Sequence, residues 1–512
     1  MKQALRKYFK NLLRLPQSFR ESLIRHDKPI TDRARSQTVV SNFFLHIHSA
    51  RVHRYSLKFT FTFGLGVASA SSFLILLITG IMLLIYYKPS VDLAYASIKD
   101  IHFIVPSGRF VRNVHRWATN VMIISVFLHM ARVFYTAAYK RTRSFNWLLG
   151  LGLLVLTLLL SFTGYLLTWD QLAYWAVMIG SNIAASAREL TDALHMTSWM
   201  DVGGLMKILL LGSEEIGQDA LTRFYWMHCF LLPMILMMVL GVHIWRVRKD
   251  GGLAIPDEIR DEELRYIPKD DEAEKVFAQD KTYGLMCLVK GKTPAVGKGP
   301  EKTVSSWPCL FIAEMAVLMV TLAIICLLSY LIDAPLKEIA NPAVPENPAK
   351  APWFFLGLQE LVSYSAFMGG VGIPTLALLG LALIPYIDTD PQKIGRWFDS
   401  REGARLSLIS VFYTLVVVVG MLAITVKWGW LRNWFPQIPQ IIITFVNPGT
   451  IIVLFFILWS FYWLVKTNST RMAAMALFTC FLIGFIILTY FGTYHRGPNW
   501  DFYWMKSQWP VH

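Results

Sequence analysis

The chain has 512 residues, of which 55% are hydrophobic and only 16% are charged. Soluble domains carry about a quarter of their residues as charges, so this composition excludes them and predicts an integral membrane protein. The formal net charge of +15 does not point to nucleic acid, because the basic residues are distributed in a way that membrane topology explains.

Nine apolar segments follow one another along the chain, each long enough to cross a bilayer as a helix, which takes about 20 residues. They lie near residues 66–87, 113–135, 147–168, 224–246, 308–332, 371–387, 406–427, 445–465 and 471–492. The sequence therefore predicts an all-α fold, a polytopic transmembrane bundle of about nine helices.

Basic residues are concentrated at the amino terminus and after the even-numbered segments. They are Lys2, Arg6, Lys7, Lys10, Arg14, Arg20 and Arg25, then Lys140, Arg141 and Arg143, then Arg246, Arg248 and Lys249, and finally Lys393, Arg396, Arg401 and Arg405. If the segments alternate in direction, all of these residues lie on one side. The positive-inside rule then puts the amino terminus in the cytoplasm. An odd number of spans puts the carboxyl terminus on the outer side.

Composition also divides the chain into parts. We expect a basic N-terminal segment, a four-helix membrane domain, a polar cytoplasmic linker, a second membrane domain, and extra helices followed by an aromatic tail. Their bounds are 1–60, 61–250, 251–307, 308–430 and 431–512.

Four histidines form two pairs on the second and fourth segments. His115 and His129 are fourteen residues apart, and His228 and His243 are fifteen apart. In an α-helix these spacings give a rise of roughly 21–23 Å and leave both members within about 60° of one face. A single intramembrane histidine can simply hydrogen-bond a neighbouring helix. Two matched pairs instead favour two metal centres, one above the other, an arrangement suited to electron transfer across the membrane.

Four glycines repeat this spacing on the first and third segments. Gly66 and Gly80 are fourteen residues apart, as are Gly150 and Gly164. Small residues that only mediate helix packing recur every four residues, whereas glycine also lets a large planar group approach the backbone. The matching periods therefore predict a four-helix core that holds two porphyrins at two depths.

Arginines flank the histidines and are candidate partners for heme propionates, because a guanidinium offers a fork of N–H donors to a carboxylate. The candidates are Arg112, Arg116, Arg132 and Arg223. The alternative explanation is that such residues extend to the membrane surface and set the topology.

Several dispersed motifs resemble the cytochrome b of quinol-oxidising bc-type complexes. They are FLILLITGIMLLIYYKPSVDLAYASI, RNVHRWATNVMIISVFLHMARV, TGYLLTWDQLAYWAV and LTRFYWMH. The fifteen-residue histidine step is typical of the cytochrome b6 branch. The resemblance implies a cytochrome b6-like domain over 61–250, fused to a domain over 308–430 that is similar to subunit IV, a separate subunit in that branch.

The resemblance implies two noncovalent b-type hemes, bound by His115 with His228 near the outer face and by His129 with His243 near the cytoplasmic face. It also implies the activity of a diheme subunit of a quinol:acceptor oxidoreductase. One electron from quinol passes to a Rieske iron–sulfur protein, and the other crosses the membrane to an inner quinone-reduction site, with proton translocation. Further implied partners are a c-type cytochrome subunit, membrane lipids and a second copy of the complex, in an energy-transducing prokaryotic membrane.

One departure from the family concerns a third heme. The cytochrome b6 branch has a cysteine that anchors a c-type heme on the cytoplasmic face, and the corresponding residue here is Gly64. None of the five cysteines stands in the CxxCH motif of covalent heme attachment. We therefore expect no covalent c-type heme on this chain.

A second departure concerns the outer quinol site, where the family has a Pro-Glu-Trp-Tyr signature. Here the glutamate position holds Pro352, before Trp353. Quinol loses two protons on oxidation, and a carboxylate commonly accepts one of them. Glu360 thus becomes the candidate proton acceptor, with Tyr364 and Trp353 beside it in the site. The alternative is that Glu360 is a solvated loop residue or a helix-end charge.

Two other classes of protein are compatible with parts of the pattern. A diheme anchor subunit of a dehydrogenase or reductase would pass electrons in one direction, and such anchors usually lack a tryptophan-containing loop after a fifth span. A heme-free transporter or structural membrane protein would show no b-heme absorbance.

Overall fold

In the computed structural model, the chain is described for residues 13, 16, 17, 29–42, 45–193, 195–250, 252–256, 259, 302–390 and 394–510. Within these residues, nine helices are long and apolar enough to cross a membrane. In order they are Leu65–Leu84, Gly108–Tyr135, Arg141–Leu166, Gln218–Lys249, Ser306–Leu331, Met368–Ile387, Arg401–Trp434, Pro448–Thr467 and Thr470–Tyr494. They are called the first to ninth spans below. The prediction of an all-α bundle with nine spans is confirmed.

Shorter elements connect or flank the spans. The α-helices among them are Asp32–Ser41, Phe59–Thr62, Ala94–Phe103, Gln171–Ala185, Arg188–Ala193, Val202–Leu211, Trp353–Tyr364 and Gln440–Phe445. The 3-10 helices outside the spans are Leu45–Ile47, Arg54–Leu57, Pro498–Trp500 and Lys506–Gln508. Two strands, Arg51–His53 and Thr303–Ser305, pair antiparallel. Helix Trp353–Tyr364 is called the loop helix below, and residues 495–510 are called the C-terminal tail.

Polar side chains cap several helices and so define where they begin. Asp170 accepts a hydrogen bond from the backbone of Ala173, and Ser469 caps the ninth span in the same way at Met472. Asn447 precedes Pro448 at the start of the eighth span. These residues satisfy amide groups that the first turn of a helix leaves without partners.

The fourth span contains one wide turn, a π-helical segment at Met227–Leu231. Pro233 lies two residues after its end. Since proline has no N–H and its ring crowds the preceding turn, a local widening relieves the contact. His228 lies inside this segment, and such π-turns recur at functional positions in helices.

The spans that position the histidines pack in two adjacent pairs, the first with the second and the third with the fourth. The ninth span packs against the loop helix and the seventh and eighth spans. It also reaches the second span, where Phe134 stacks on Phe478 with ring centroids 3.9 Å apart. The last helix is therefore part of the bundle interior.

The chain divides into two compact units. One comprises residues 1–58 and 266–313, and the other comprises 59–265 and 314–512. In the first unit, the side chain of Arg51 donates to Oγ1 of Thr303 across the strand pair. The predicted basic residues from Lys2 to Arg25, Lys393, and most of the predicted linker at 251–307 lie outside the described residues, so the domain bounds stay predictions.

Candidate functional site

The second and fourth spans bring His115 and His228 together. Their ring centroids are 6.2 Å apart, and the ring planes are inclined by 74°. Two imidazoles that bind one metal ion through nitrogens about 2 Å away on opposite sides have centroids about 6 Å apart. One metal ion therefore fits between these two rings.

Hydrogen bonds orient both imidazoles. Nδ1 of His228 lies 3.0 Å from the carbonyl oxygen of Leu160, which can only accept, so this nitrogen carries the hydrogen. Nδ1 of His115 lies 2.9 Å from Oγ1 of Thr79, and that hydroxyl already donates to the carbonyl of Ile75. In both rings the Nε2 lone pair is thus left for a metal. Histidine ligands usually have this arrangement, in which the other ring nitrogen donates a hydrogen bond.

Each predicted glycine lies beside one of the four predicted histidines. A Cβ built on the glycine would meet the Cε1 atom of its histidine at a short distance: 2.5 Å for Gly164 and His228, 3.2 Å for Gly66 and His129, 3.4 Å for Gly80 and His115, and 3.6 Å for Gly150 and His243. The fourteen-residue period of the glycines therefore matches the histidine period in space as well as in sequence.

The second pair lies farther along the same two spans. His243 and His129 lie near each other across the two spans. Among the described residues, no group of three or more histidine, cysteine, aspartate or glutamate side chains could hold a metal ion. Two imidazoles per centre leave the other coordination positions to a bound group. The four glycines present bare helix backbone at the four rings, which suits the close approach of a large planar group such as a porphyrin.

The arginines predicted to contact propionates have protein partners. Arg112 is buried and donates to the carbonyls of Ala334 and Pro335. Arg132 is buried against the ring of Phe61. Arg223 donates to the carbonyl of Leu209, near the end of helix Val202–Leu211. Arg116 lies with its guanidinium 5.4 Å from the Tyr165 ring centroid. Propionate binding stays a prediction for all four arginines.

The loop helix begins at Trp353, which contacts the histidine-bearing second span directly. Its indole Nε1 donates to Oδ1 of Asn120 at 3.0 Å. Asn120 lies between His115 and His129 in the sequence and is almost fully buried. The predicted outer-site residue is thus joined to the helix that holds two predicted ligands.

The side chain of Glu360, on the loop helix, has no surface exposed to water. Both carboxylate oxygens are bonded to Arg496, with nitrogen–oxygen distances of 2.6 and 3.0 Å. Trp500 Nε1 donates at 3.0 Å, and the Tyr364 hydroxyl donates at 2.8 Å. Burial, together with the charge of Glu360, raises the pKa of Tyr364 well above its usual range, so the phenol keeps its proton.

Burial alone would lower the pKa of Arg496, but the hydrogen bonds and charge of Glu360 outweigh it and raise that pKa. The sequence analysis missed Arg496 and Trp500 as partners of Glu360. The available signal was an arginine just beyond an apolar helix, and membrane topology explains such a residue equally well.

A second buried ionic cluster lies at the other end of the ninth span. Arg471 is 1% exposed and donates to the hydroxyl of Tyr139 and the carbonyl of Phe134. Asp388 accepts from Lys140 at 2.8 Å and lies 3.7 Å from Arg471. The ninth span is thus attached to buried carboxylates through arginines at both of its ends.

Comparison with known proteins points to one family. Residues 52–251 match the family model described as cytochrome b/b6/petB. The chain is 42% identical to cytochrome b6 of Heliobacterium mobile over 180 residues, 35% of this chain and 79% of that protein. It is 39% identical to cytochrome b6 of Synechococcus sp. (strain RCC307) over 179 residues, again 35% of this chain and 77% of that protein.

A solved structure extends the likeness of fold beyond the matched segment. The structure described as a hyperthermophilic respiratory Complex III aligns with a TM-score of 0.53, covering 85% of this chain and 91% of that one. Sequence identity is 23%, so this comparison concerns the fold. It includes most of the second half, which the cytochrome b6 relatives do not cover.

Proposed function

Because this chain belongs to the cytochrome b/b6 family, we propose that it is the diheme subunit of a quinol:acceptor oxidoreductase coupled to proton translocation. The family supports the broader description without further assumption: an integral membrane cytochrome b with b-type heme, acting in a quinol-oxidising complex with other subunits. The number of hemes, their ligands, the direction of the chain in the membrane and the named partners belong to the proposal.

The observation that carries the diheme proposal is the pairing of four glycines with four histidines on four packed helices. His115 and His228 would hold one heme iron, and His129 and His243 would hold the other. A bound b-type heme supplies one-electron transfer. The chain supplies the four imidazoles, of which His115 and His228 are oriented by hydrogen bonds to Nδ1, and glycine backbones close to each ring.

We assign the His115 end of the second span to the outer face and the His129 end to the cytoplasmic face, following the positive-inside rule. In this orientation the loop helix and the C-terminal tail lie on the outer side. Quinol oxidation is assigned there, and quinone reduction is assigned to the cytoplasmic side. The electron acceptor on the outer side is a Rieske iron–sulfur partner, with a c-type cytochrome subunit beyond it and a homodimeric complex overall.

Glu360 is the proposed acceptor of a quinol proton. The reason is its place on the helix that begins at Trp353, which is bonded to the histidine-bearing span. A carboxylate must be ionised to receive a proton, and both oxygens of Glu360 are hydrogen-bonded to the guanidinium of Arg496. Tyr364 keeps its own proton and directs its hydroxyl to Oε1 of Glu360, which fixes the carboxylate orientation.

Heme content and spectra test the diheme proposal. A pyridine-hemochrome assay on the purified chain should give two b hemes, neither retained covalently after denaturation. His115→Ala should remove the outer heme and His129→Ala the inner one, each leaving the other in place. The exposed His195 provides a control, since His195→Ala should keep both. Two intact bis-histidine signals in either ligand variant would contradict the assignment.

A further inference from the structure

The C-terminal tail folds back over the loop that leads into the loop helix. Asn347 and Asn499 hydrogen-bond each other twice. Lys350 donates to the carbonyl of Thr493 at the end of the ninth span. Within the tail, the backbone of Tyr503 donates to His495. These contacts hold the tail against the residues that precede Pro352, which stands where the family signature has its glutamate.

From this position the tail provides most of the donors that Glu360 receives. Arg496 is bonded to both carboxylate oxygens, and Trp500 adds a bond to Oε2. Only the Tyr364 hydroxyl comes from the loop helix itself. Arg496 is also held by the carbonyl of Trp500 and lies over the ring of Phe491. Its guanidinium therefore has little freedom to move.

We propose that Arg496 is a positioning residue of the outer quinol site, which keeps Glu360 ionised and holds it in the orientation from which it accepts a proton. This inference rests on the proposed function of Glu360. It assigns to the last span and tail a part in the reaction, in addition to packing.

An ionised carboxylate without water is costly unless a cation and hydrogen bonds compensate for its lost hydration. Among the described residues, the charged or titratable groups hydrogen-bonded to Glu360 are Arg496 and Tyr364, and Tyr364 is neutral. From the seventh span, the uncharged Thr425 is hydrogen-bonded to the Tyr364 hydroxyl. Without Arg496, Glu360 would take up a proton from water, and a protonated carboxyl cannot accept one from quinol.

In the proposed step, a proton passes from quinol to Glu360. The O–H bond of a quinol hydroxyl breaks, and an O–H bond forms on a Glu360 oxygen in place of one of the hydrogen bonds from Arg496. The electrons leave by the routes of the proposed function. Glu360 later releases the proton to water on the outer side, and the bond to Arg496 forms again.

The test is the pH profile of heme reduction by a soluble quinol analogue in the purified complex. In Arg496→Gln, the acid limb of the rate should move to higher pH, with a loss of at least about tenfold at acidic pH. The double variant Glu360→Gln/Arg496→Gln should behave like Glu360→Gln alone. Arg109→Gln is the matched control, because Arg109 pairs with Asp333 at an exposed site; its profile should be that of the unmodified protein.

Arg496→Gln can fail to fold, since it leaves a buried carboxylate without its cation. Arg496→Lys keeps the charge but loses the bidentate fork. It should keep the acid limb near its original pH while lowering the plateau rate several-fold. If this variant is unchanged in both respects, or if Arg496→Gln folds with an unmoved acid limb while Glu360→Gln is slow, Arg496 has no positioning role. If Glu360→Gln itself is unaffected at every pH, the assignment of Glu360 fails and this inference with it.

Discussion

Gly164 lies so close to His228 that a Cβ atom on the glycine would be 2.5 Å from Cε1 of the imidazole and 2.9 Å from Nδ1. Real Cβ contacts of that length do not occur without displacement of a neighbour. His228 cannot withdraw freely, because its Nδ1 is hydrogen-bonded to the carbonyl of Leu160. The absence of a side chain at residue 164 is therefore a condition for the ring position.

We predict that Gly164→Ala weakens or abolishes binding of the heme assigned to His115 and His228. The added methyl group would rotate or displace the imidazole, whose Nε2 would no longer point at the iron. Heme content and the reduced-minus-oxidised spectrum measure the loss. Gly152→Ala on the same span is the control, because nothing lies within 4 Å of a Cβ there, and it should keep both hemes.

For the other three glycines, the effect of substitution by alanine should decrease as the distance from the added Cβ to the histidine Cε1 increases. Gly66→Ala, with 3.2 Å to His129, should perturb its heme more than Gly150→Ala, with 3.6 Å to His243. Gly80→Ala should be intermediate, at 3.4 Å from His115. The shift of each heme midpoint potential is the measurement. Equal shifts in these three variants would show that contact with the imidazole does not decide the effect.

Glu360→Gln should slow quinol oxidation without loss of heme. The amide preserves the size of the side chain but cannot accept a proton as a carboxylate does, and it no longer neutralises Arg496. Turnover should fall and lose the pH dependence that proton acceptance by a carboxylate imposes. Steady-state rates across pH, with heme content measured in parallel, provide the test. A turnover equal to that of the unmodified protein at every pH would refute the role.

Arg471→Gln should reduce stability strongly, since it removes a buried cation 3.7 Å from Asp388 and the hydrogen bonds that this cation donates to the Tyr139 hydroxyl and the Phe134 carbonyl. Breaking a buried ion pair by removing one member costs about 3–5 kcal/mol. Unfolding by denaturant in detergent measures the change. Arg109→Gln again serves for comparison: its pair with Asp333 is largely exposed, and exposed pairs contribute about 1 kcal/mol or less. Similar losses in both variants would contradict the prediction.

Lys350 should titrate well below an ordinary lysine. Burial, with a smaller contribution from the charge of Lys506, lowers its pKa from 10.5 to about 8. The amine should therefore become reactive as the pH rises through about 8, because only the neutral form is a nucleophile. Competitive acetylation followed by mass spectrometry measures the midpoint, which should rise in Lys506→Gln. A midpoint near 10.5 in the unmodified protein would contradict the burial of this lysine.

The comparison of sequence and structure separates two kinds of information. The nine spans were predictable because a bilayer requires long apolar runs, and such runs are contiguous in the chain. The periods of the histidines and glycines were visible because a helix converts sequence spacing into height and direction. The family followed from the same local motifs. None of these inferences needed to know which helices are neighbours.

The partners of the buried charges could not be predicted in this way, because they depend on which helices are neighbours. Glu360 and Arg496 are 136 residues apart, and Trp353 and Asn120 are 233 apart. The sequence identified Glu360 and Trp353 as candidates, but not the groups that hold them. A buried carboxylate is stabilised by whichever cation the packing of helices brings to it, and that packing is decided by the tertiary structure. The sequence by itself determined the spans and the spacing of the candidate ligands. Only the fold decided that Arg471 in the ninth span would lie beside Asp388, and that Arg496 just after it would pair with Glu360.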